Sequence, residues 1–274
     1  MILQILLKVK TMIKRFVVIL SAVVMLSGCE DGLNFFTVEQ DIQFGQQMDE
    51  SILANPQEYP ILSRASYPTA YEHIERIMDK LLTAGDLRYA QTFPWQVRII
   101  HDDDVLNAFA APGGYMYFYT GLIKYLDNEA QFAGVMAHEM AHADRRHSTQ
   151  MLTRQYGFSL LLSMALGDNP SQLEQIAAEL AMGLGNLKYS RTNEYEADEY
   201  GVKYLYSTGY HARELAGFFE KLNEGQASRT VEFLSTHPSP ENRIEQIEAV
   251  WQSLGGATGN YNTVEYTQFK NSLP

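Results

Sequence analysis

The spacing of apolar positions along the chain predicts a mostly helical protein. Apolar residues recur at helical intervals in VEQDIQFGQQMDESILAN and again over 67–84, where Gly85 supplies a stop signal. The run NEAQFAGVMAHEMAHADRRH, from Asn128 to His147, contains no proline, and we predict one long helix capped by Asp127 or Asn128. Further helices are predicted at 149–166, 171–186, 192–207, 212–224 and 240–253.

Two short segments before the long helix have the pattern of β-strands. WQVRII, from Trp95 to Ile100, alternates apolar with polar residues, and Tyr115 to Thr120 is a run of aromatics. Pro112, followed by two glycines, breaks the chain between them. The predicted fold class is therefore α+β, mostly helical, with a small β-sheet beside the long helix.

The N-terminus has the composition of a bacterial lipoprotein signal. Lys14 and Arg15 precede an apolar stretch that is too short to span a bilayer, and LSGC ends at Cys29. This segment resembles a lipobox, in which the cysteine receives lipid and becomes the new N-terminus. Cys29 is the only cysteine of the chain, so it is not half of an internal disulfide. An ordinary secretory signal or a buried thiol is the alternative, and Met1 or Met12 is the start.

These features divide the chain into four predicted parts: a signal peptide at 1–28, a tether at 29–38, one domain at 39–254 and a polar, loosely attached tail at 255–274. The formal net charge of −12 argues against nucleic-acid binding, which requires a basic face. Membrane attachment is therefore predicted through lipid on Cys29. Glu30 and Asp31 lean towards retention in the inner membrane, but inner and outer membrane both stay open.

The long helix carries a metal-binding pattern. His138 and His142 are four residues apart, so they share one helix face and can chelate one ion. Glu139 lies beside them and can reach a water on that ion without binding the metal. The H-E-x-x-H arrangement predicts one Zn²⁺ per chain.

A third ligand is required, and the downstream segment SRTNEYEADEYG offers candidates. Glu194 and Asp198 are four residues apart on a predicted helix, so one can bind the metal while the other accepts the N–H of a ligating histidine. The alternative is a solvated acidic face. His147, five residues after His142, has the wrong spacing for the third ligand of a metzincin.

H-E-x-x-H followed about fifty residues later by S-R-x-x-E-x-x-x-D resembles the gluzincin family that includes HtpX, the CAAX prenyl protease, Oma-type proteases, BepA and LoiP. The resemblance extends from Val97 to Ile247 and includes NAFAAPGGYMYFYTGLI and THPSPENRI. With its lipobox the chain is most similar to the LoiP-like lipoproteins. The resemblance implies a zincin-like fold, Glu194 as the third zinc ligand and Asp198 as the partner of a ligating histidine.

The chemistry of the motif and the resemblance together give expected roles for further residues. Glu139 is the expected general base, which takes a proton from the attacking water and passes it to the leaving amine. His237, in the His-Pro segment, either donates to the oxyanion or occupies the open zinc position at rest; the alternative is a simply exposed loop histidine. Arg243 pairs with the acidic helix or lies on the surface.

The segment before the zinc helix is the predicted substrate platform. Asn107, Ala108 and Phe109, together with Tyr115 to Tyr119, would form a sheet edge to which a peptide adds as a strand. The alternative places these aromatics in the core, and both hold if the strand faces alternate.

The leading functional prediction is a zinc-dependent endopeptidase of the bacterial cell envelope, facing the periplasm. Its expected substrates and partners are misfolded or misassembled envelope proteins. A chaperone-like assembly factor with little proteolysis is the alternative, although it would not require the carboxylate of Glu139. A structural lipoprotein with a metal-stabilised fold is a third possibility, but structural zinc sites are usually closed by four ligands and rich in cysteine.

Overall fold

A computed structural model describes residues 34–155, 188–224, 233–238 and 242–274. Cys29, the predicted helix at 171–186 and most of the one at 149–166 lie outside this range. Within it the named elements are the helices α1 Val38–Leu53, α2 Pro68–Ala84, α3 Thr120–Tyr125, α4 Glu129–Asp144, α5 Arg191–Tyr206, α6 Glu214–Glu224, α7 Arg243–Ser253 and α8 Thr263–Asn271, and the strands β1 Gln96–Ile100, β2 Ala108–Ala111 and β3 Tyr115–Tyr119.

The three strands form one mixed sheet in the order β1-β3-β2. β1 runs parallel to β3, and β2 pairs with β3 antiparallel, so that Phe109 lies opposite Tyr117. The chain reverses between β2 and β3 through Pro112–Gly114, where Gly113 and Gly114 have φ of 73° and 89°. A side chain at Gly113 would also meet the Cα of Ile42 at 2.8 Å. Glycine is therefore required there both by conformation and by space.

The sheet separates two apolar cores because successive side chains of a strand point to opposite faces. Met116 and Phe118 of β3 belong to the main core, together with Phe132 of α4. Tyr115 and Tyr117 belong to the second core, together with α1 residues such as Phe44, Met48 and Ile52. The sheet is thus buried on both sides, between α1 and the layer that contains α4.

α4 is the central helix, and all of its 16 residues are buried. Asn128 caps it by accepting from the N–H of Gln131, which decides between the two predicted caps. The helix ends at Asp144, whose carboxylate accepts the N–H groups of Arg88 and Tyr89. The prediction of one continuous helix to His147 is wrong, because Arg146 adopts φ of 60° and helical residues resume only at 147.

Two segments that were predicted to be loosely attached, the C-terminal tail and the described part of the tether at 34–38, are packed against the domain. The loosely attached tail at 255–274 is wrong, since α8 packs on α2 and α4 with Tyr266 and Phe269 fully buried. The tether at 29–38 is also too long, because the Asn34 side chain donates to Thr149 and Phe36 is 4% exposed. Both segments are mostly polar, and their few apolar residues do not form a pattern that predicts these contacts.

The predicted fold class is confirmed: the described residues are mostly helical and carry one small sheet beside the H-E-x-x-H helix. None of the helices in the described ranges combines the length and the apolar character needed to cross a bilayer.

Candidate metal centre

Two helices bring three predicted ligands together. The Nε2 atoms of His138 and His142, both on α4, lie 3.0 Å apart. Glu194, in the first turn of α5, places one carboxylate oxygen 3.6 Å from Nε2 of His138 and the other 3.5 Å from Nε2 of His142. Each of the three side chains is at most 1% exposed. The packing of α4 on α5 therefore brings together residues that lie about fifty positions apart in the sequence.

The two helices approach closely because α5 has a glycine where it crosses α4. A Cβ atom on Gly201 would lie 3.2 Å from the backbone nitrogen of His138 and 3.3 Å from its Cα. α5 is capped at its N-terminus by Ser190, whose hydroxyl accepts from the N–H of Asn193. This start places Glu194 at the end of the helix that faces the histidines.

Asp198 lies one turn after Glu194 and contacts the other side of His138. Its Oδ1 is 3.0 Å from Nδ1 of His138. Arg243, the first residue of α7, binds the same carboxylate through Nε and Nη2 at 2.6 and 2.7 Å. Its Nη2 is also 3.1 Å from Glu194. Arg243 therefore pairs with the acidic helix, as one of the two predicted alternatives had it, and is only 2% exposed.

His237 completes the cluster from a separate segment. Its Nδ1 is 3.4 Å from Nε2 of His138 and 3.3 Å from Glu194, and its ring stacks on Phe233 at 4.6 Å. The side chain is fully buried, so a simply exposed histidine is excluded. Nε2 of His237 is 3.4 Å from Oε1 of Glu139, which puts the imidazole between the predicted ligands and the predicted base.

The directions in which the pKa values of His138, His142 and Glu194 shift suit metal binding. Burial is the main cause that holds the pKa of His138 and of His142 well below its ordinary value, which favours the neutral form of both imidazoles. Burial raises the pKa of Glu194, but His237 and Arg243 outweigh it and leave this pKa lowered. Burial raises the pKa of Glu139 to about 7, which is suitable for a group that accepts and returns a proton near neutral pH.

The residues present fit Zn²⁺. One donor atom from each of His138, His142, Glu194 and His237 lies within 4.8 Å of the others. In a tetrahedral zinc site with bonds of about 2.0–2.1 Å, donor atoms lie about 3.4 Å apart. The observed separations of 3.0, 3.5 and 3.6 Å are close to that value. In addition, both oxygens of Glu194 lack a well-formed hydrogen bond within the described part of the chain.

The outer side of His142 contacts residues for which the sequence predicted no role. Nδ1 of His142 is 3.0 Å from Nδ1 of His147, and Nε2 of His147 is 3.3 Å from Glu196. The ring of Tyr189 stacks on His142 at 3.9 Å between centroids. No sequence signal marks the helix break that brings His147 to this position, since neither glycine nor proline occurs there.

The predicted substrate edge is partly wrong. β2, which includes Ala108 and Phe109, does form one edge of the three-stranded sheet, and it packs on α4. β3 instead lies in the centre, so Tyr115 cannot belong to the edge. The side chains of Phe109 and Tyr115 are buried in the second core, at 6% and 5% exposure. Asn107 uses Oδ1 to accept the N–H of Ala108, and Thr236 lies 3.5 Å from the same oxygen.

Comparison with known proteins agrees with this geometry. The sequence model of peptidase family M48 matches residues 68–250. The chain is 32% identical over 222 residues to a Vibrio cholerae protein named after the beta-barrel assembly-enhancing proteases, an alignment that covers 76% of this chain and 43% of that protein. It is also 32% identical over 162 residues to the beta-barrel assembly-enhancing protease of Escherichia coli, covering 55% of this chain and 33% of the relative.

A mitochondrial relative has similar identity. The mitochondrial metalloendopeptidase OMA1 of Schizosaccharomyces pombe is 30% identical over 187 residues, with 67% of this chain and 53% of that protein covered. The chain thus spans about half or less of the length of these relatives. The resemblance drawn from the two motifs is confirmed at the level of the family.

Proposed function

The chain belongs to peptidase family M48, and we propose that it is a zinc-dependent endopeptidase. The observation that carries the proposal is the convergence of His138, His142 and Glu194, from two helices, around one point beside the buried carboxylate of Glu139. A purely structural metal site would not need a carboxylate whose oxygens lack well-formed hydrogen bonds within the described residues.

Each residue of the cluster has a proposed role. His138, His142 and Glu194 hold the metal, and Asp198 fixes the orientation of His138 through its Nδ1. Bound Zn²⁺ supplies a Lewis acid and a water of lowered pKa. Glu139 accepts a proton from the attacking water and returns it to the leaving amine, a task suited to a group with a pKa of about 7.

We propose that His237 occupies the fourth ligand position in the arrangement described here. Its distances of 3.4 Å to His138 and 3.3 Å to Glu194 match those among the other ligands. A peptide carbonyl would need the same space. The segment that carries His237 also contacts the substrate edge, through Thr236 and Asn107. Displacement of this segment would therefore open both the metal and the edge.

Peptide substrates are proposed to bind along β2, with Asn107 and Ala108 at its start. Addition of a strand to a sheet edge uses main-chain hydrogen bonds and demands little of the substrate sequence, which suits unfolded chains. Tyr115 is left out of this proposal because β3 is central.

The cellular setting is likewise a proposal. LSGC supports lipidation of Cys29 after removal of residues 1–28, and the similarity to beta-barrel assembly-enhancing proteases supports the bacterial envelope, facing the periplasm. The folded domain would follow a short tether and include α8. Misfolded or misassembled envelope proteins are the proposed substrates. A chaperone-like assembly factor is the second candidate, favoured by the name of the same relatives.

The test replaces Glu139 with glutamine. We expect Glu139→Gln to fold and bind one Zn²⁺ per chain, because Glu139 is not a ligand, and to lose cleavage of unfolded casein by about 10²–10⁴-fold, the usual contribution of a positioned acid–base group. Metal analysis and a peptide-release assay measure the two effects. Glu199→Gln, on the exposed side of α5, is the control. Casein cleavage at the wild-type rate by Glu139→Gln would contradict the endopeptidase assignment and favour a binding protein.

A further inference from the structure

The helix break after α4 brings His147 into contact with His142, although the two residues are five positions apart in sequence. On an uninterrupted α-helix, five residues correspond to a rotation of about 140°, so His147 would point away from His142. The turn at Arg145 and Arg146, where φ of Arg146 is 60°, returns His147 to the same side. The two Nδ1 atoms then lie 3.0 Å apart, and His147 is fully buried.

Contacts continue from His147 to a carboxylate of α5. Nε2 of His147 is 3.3 Å from Oε2 of Glu196, and Oε1 of Glu196 accepts from Nε of Arg145 at 2.5 Å. The guanidinium of Arg145 also lies 4.4 Å above the ring of Tyr200. The buried imidazole is therefore held at both nitrogens, and the carboxylate beyond it is held by an arginine from the helix break.

We propose that His147 and Glu196 are positioning residues that fix the tautomer and the orientation of His142. The inference rests on the proposed metal site. A ligand that binds through Nε2 carries its proton on Nδ1, so His142 donates from Nδ1 to Nδ1 of His147. His147 must then carry its own proton on Nε2, where Glu196 accepts it. The carboxylate of Glu196 thus determines the tautomer of His147 and, through it, that of His142.

The two ligating histidines are consequently held by different means. His138 meets the carboxylate of Asp198 directly at 3.0 Å, whereas His142 reaches Glu196 only through a second imidazole. His147 does not belong to the group of donor atoms that converge within the described chain. Its acceptor nitrogen faces the side of His142 away from that group, so it orients the ligand and does not compete for the metal.

The experiment measures metal affinity in four variants of the full chain. His147→Leu removes the acceptor, and His147→Asn keeps an amide oxygen near the position of Nδ1. Glu196→Ala removes the terminal carboxylate, and Glu199→Ala is a matched control from the exposed side of the same helix. Zinc dissociation constants are measured by competition with a chromophoric chelator, and the visible spectrum of the Co²⁺ form reports ligand geometry.

We expect His147→Leu to raise the zinc dissociation constant about 10–100-fold, the usual effect of removing a partner of a ligating histidine. His147→Asn should restore most of that affinity, Glu196→Ala should give a smaller loss and Glu199→Ala none. The Co²⁺ spectrum should change in His147→Leu alone among the His147 variants. If His147 only contributed packing, its replacement would lower the thermal stability of the metal-free protein, and asparagine would not restore zinc affinity better than leucine.

Two outcomes would overturn the inference. One is a His147→Leu protein with wild-type zinc affinity and an unchanged Co²⁺ spectrum. The other is equal weakening by leucine and asparagine, which would reduce His147 to packing. If His147→Leu does not fold, Glu196→Ala provides the test. Wild-type zinc affinity in Glu196→Ala would show that the contacts from Glu196 through His147 do not orient His142. Failure of the wild-type protein to bind zinc would instead overturn the proposed function together with this inference.

Discussion

The buried polar atoms of the metal centre have more hydrogen-bonding capacity than the protein around them uses. Within the described residues, both oxygens of Glu139 and of Glu194 and Nε2 of His237 lack a well-formed partner. A buried polar group without a partner costs about 1–3 kcal/mol, and more when it is charged. So many in one cluster are expected only where a metal ion and a substrate or water complete the set.

His237 is the residue at which two chemical roles compete. If it closes the fourth ligand position, His237→Ala should increase the initial rate of casein cleavage. A closed arrangement favoured by about 1.4 kcal/mol leaves about a tenth of the molecules competent, so its removal would give about a tenfold increase. Initial rates at saturating zinc measure this. Ser235→Ala, in the same segment, is the control, and a fall in rate of a hundredfold in His237→Ala would instead support oxyanion stabilisation.

Spacing within one helix was sufficient to predict His138, Glu139 and His142, because a four-residue interval fixes which side chains share a face. Glu194 and Asp198 were found by the same interval together with the resemblance. His147 has the wrong spacing for the third ligand of a metzincin, and it lies outside the group of four donor atoms that converge within the described residues. Its contact with His142 was unpredictable, because Arg146 adopts a left-handed conformation that non-glycine residues seldom take.

At the scale of elements, the precision of the site depends on how closely α5 approaches α4. Gly201 is the point of contact, where an added Cβ would lie 3.2 Å from the backbone of His138. Glu194 and Asp198 are carried by the same helix, one to two turns earlier. A change in helix separation at Gly201 would therefore move a ligand and an orienting carboxylate away from His138 together.

We expect Gly201→Val to destabilise the protein by about 1–3 kcal/mol, as overpacking of a close contact does, and to weaken zinc binding. Urea unfolding of the metal-free protein and chelator competition measure the two effects. Glu199→Val, an exposed position of the same helix, controls for the poor helix propensity of valine and should cost less than about 1 kcal/mol. Undiminished zinc affinity in Gly201→Val would show that the helices tolerate greater separation than this packing indicates.

Helices with apolar spacing were predicted within a few residues, whereas the elements that were predicted only in part or not at all have weak patterns. β2 consists of AFAA, and only its first two residues were placed at a sheet edge, because the segment is too short and its side chains too small for a strand signal of its own. α8 lies in a polar tail, and its burial depends on two aromatics, Tyr266 and Phe269. Tertiary contacts determine both the pairing of β2 and the burial of α8, and such contacts cannot be inferred from a single sequence.

At the scale of the whole molecule, the metal centre joins segments that are distant in sequence. His138 and His142 come from the central helix, Glu194 from α5 and His237 from a later segment, and Arg243 at the start of α7 binds Asp198 and Glu194. α4 in turn packs on β2, α2, α6 and α8. A metal held between these parts binds only the folded chain, so its binding free energy adds to the stability of the fold.

Removal of the metal should consequently lower the thermal stability of the whole domain. At a free zinc concentration of 100 times the dissociation constant, binding stabilises by about 2.7 kcal/mol. For a domain of this size that corresponds to a fall in Tm of about 5–10 °C on chelation with EDTA. Differential scanning calorimetry measures it, with Zn²⁺ restoring the wild-type Tm and Mg²⁺, which prefers oxygen ligands, failing to do so. Glu194→Gln, which weakens the ligand supplied by α5, should show a clearly smaller response to EDTA. An identical Tm with and without chelator in the wild-type protein, at a concentration where zinc is bound, would mean that the ion contributes nothing to holding the two helices together.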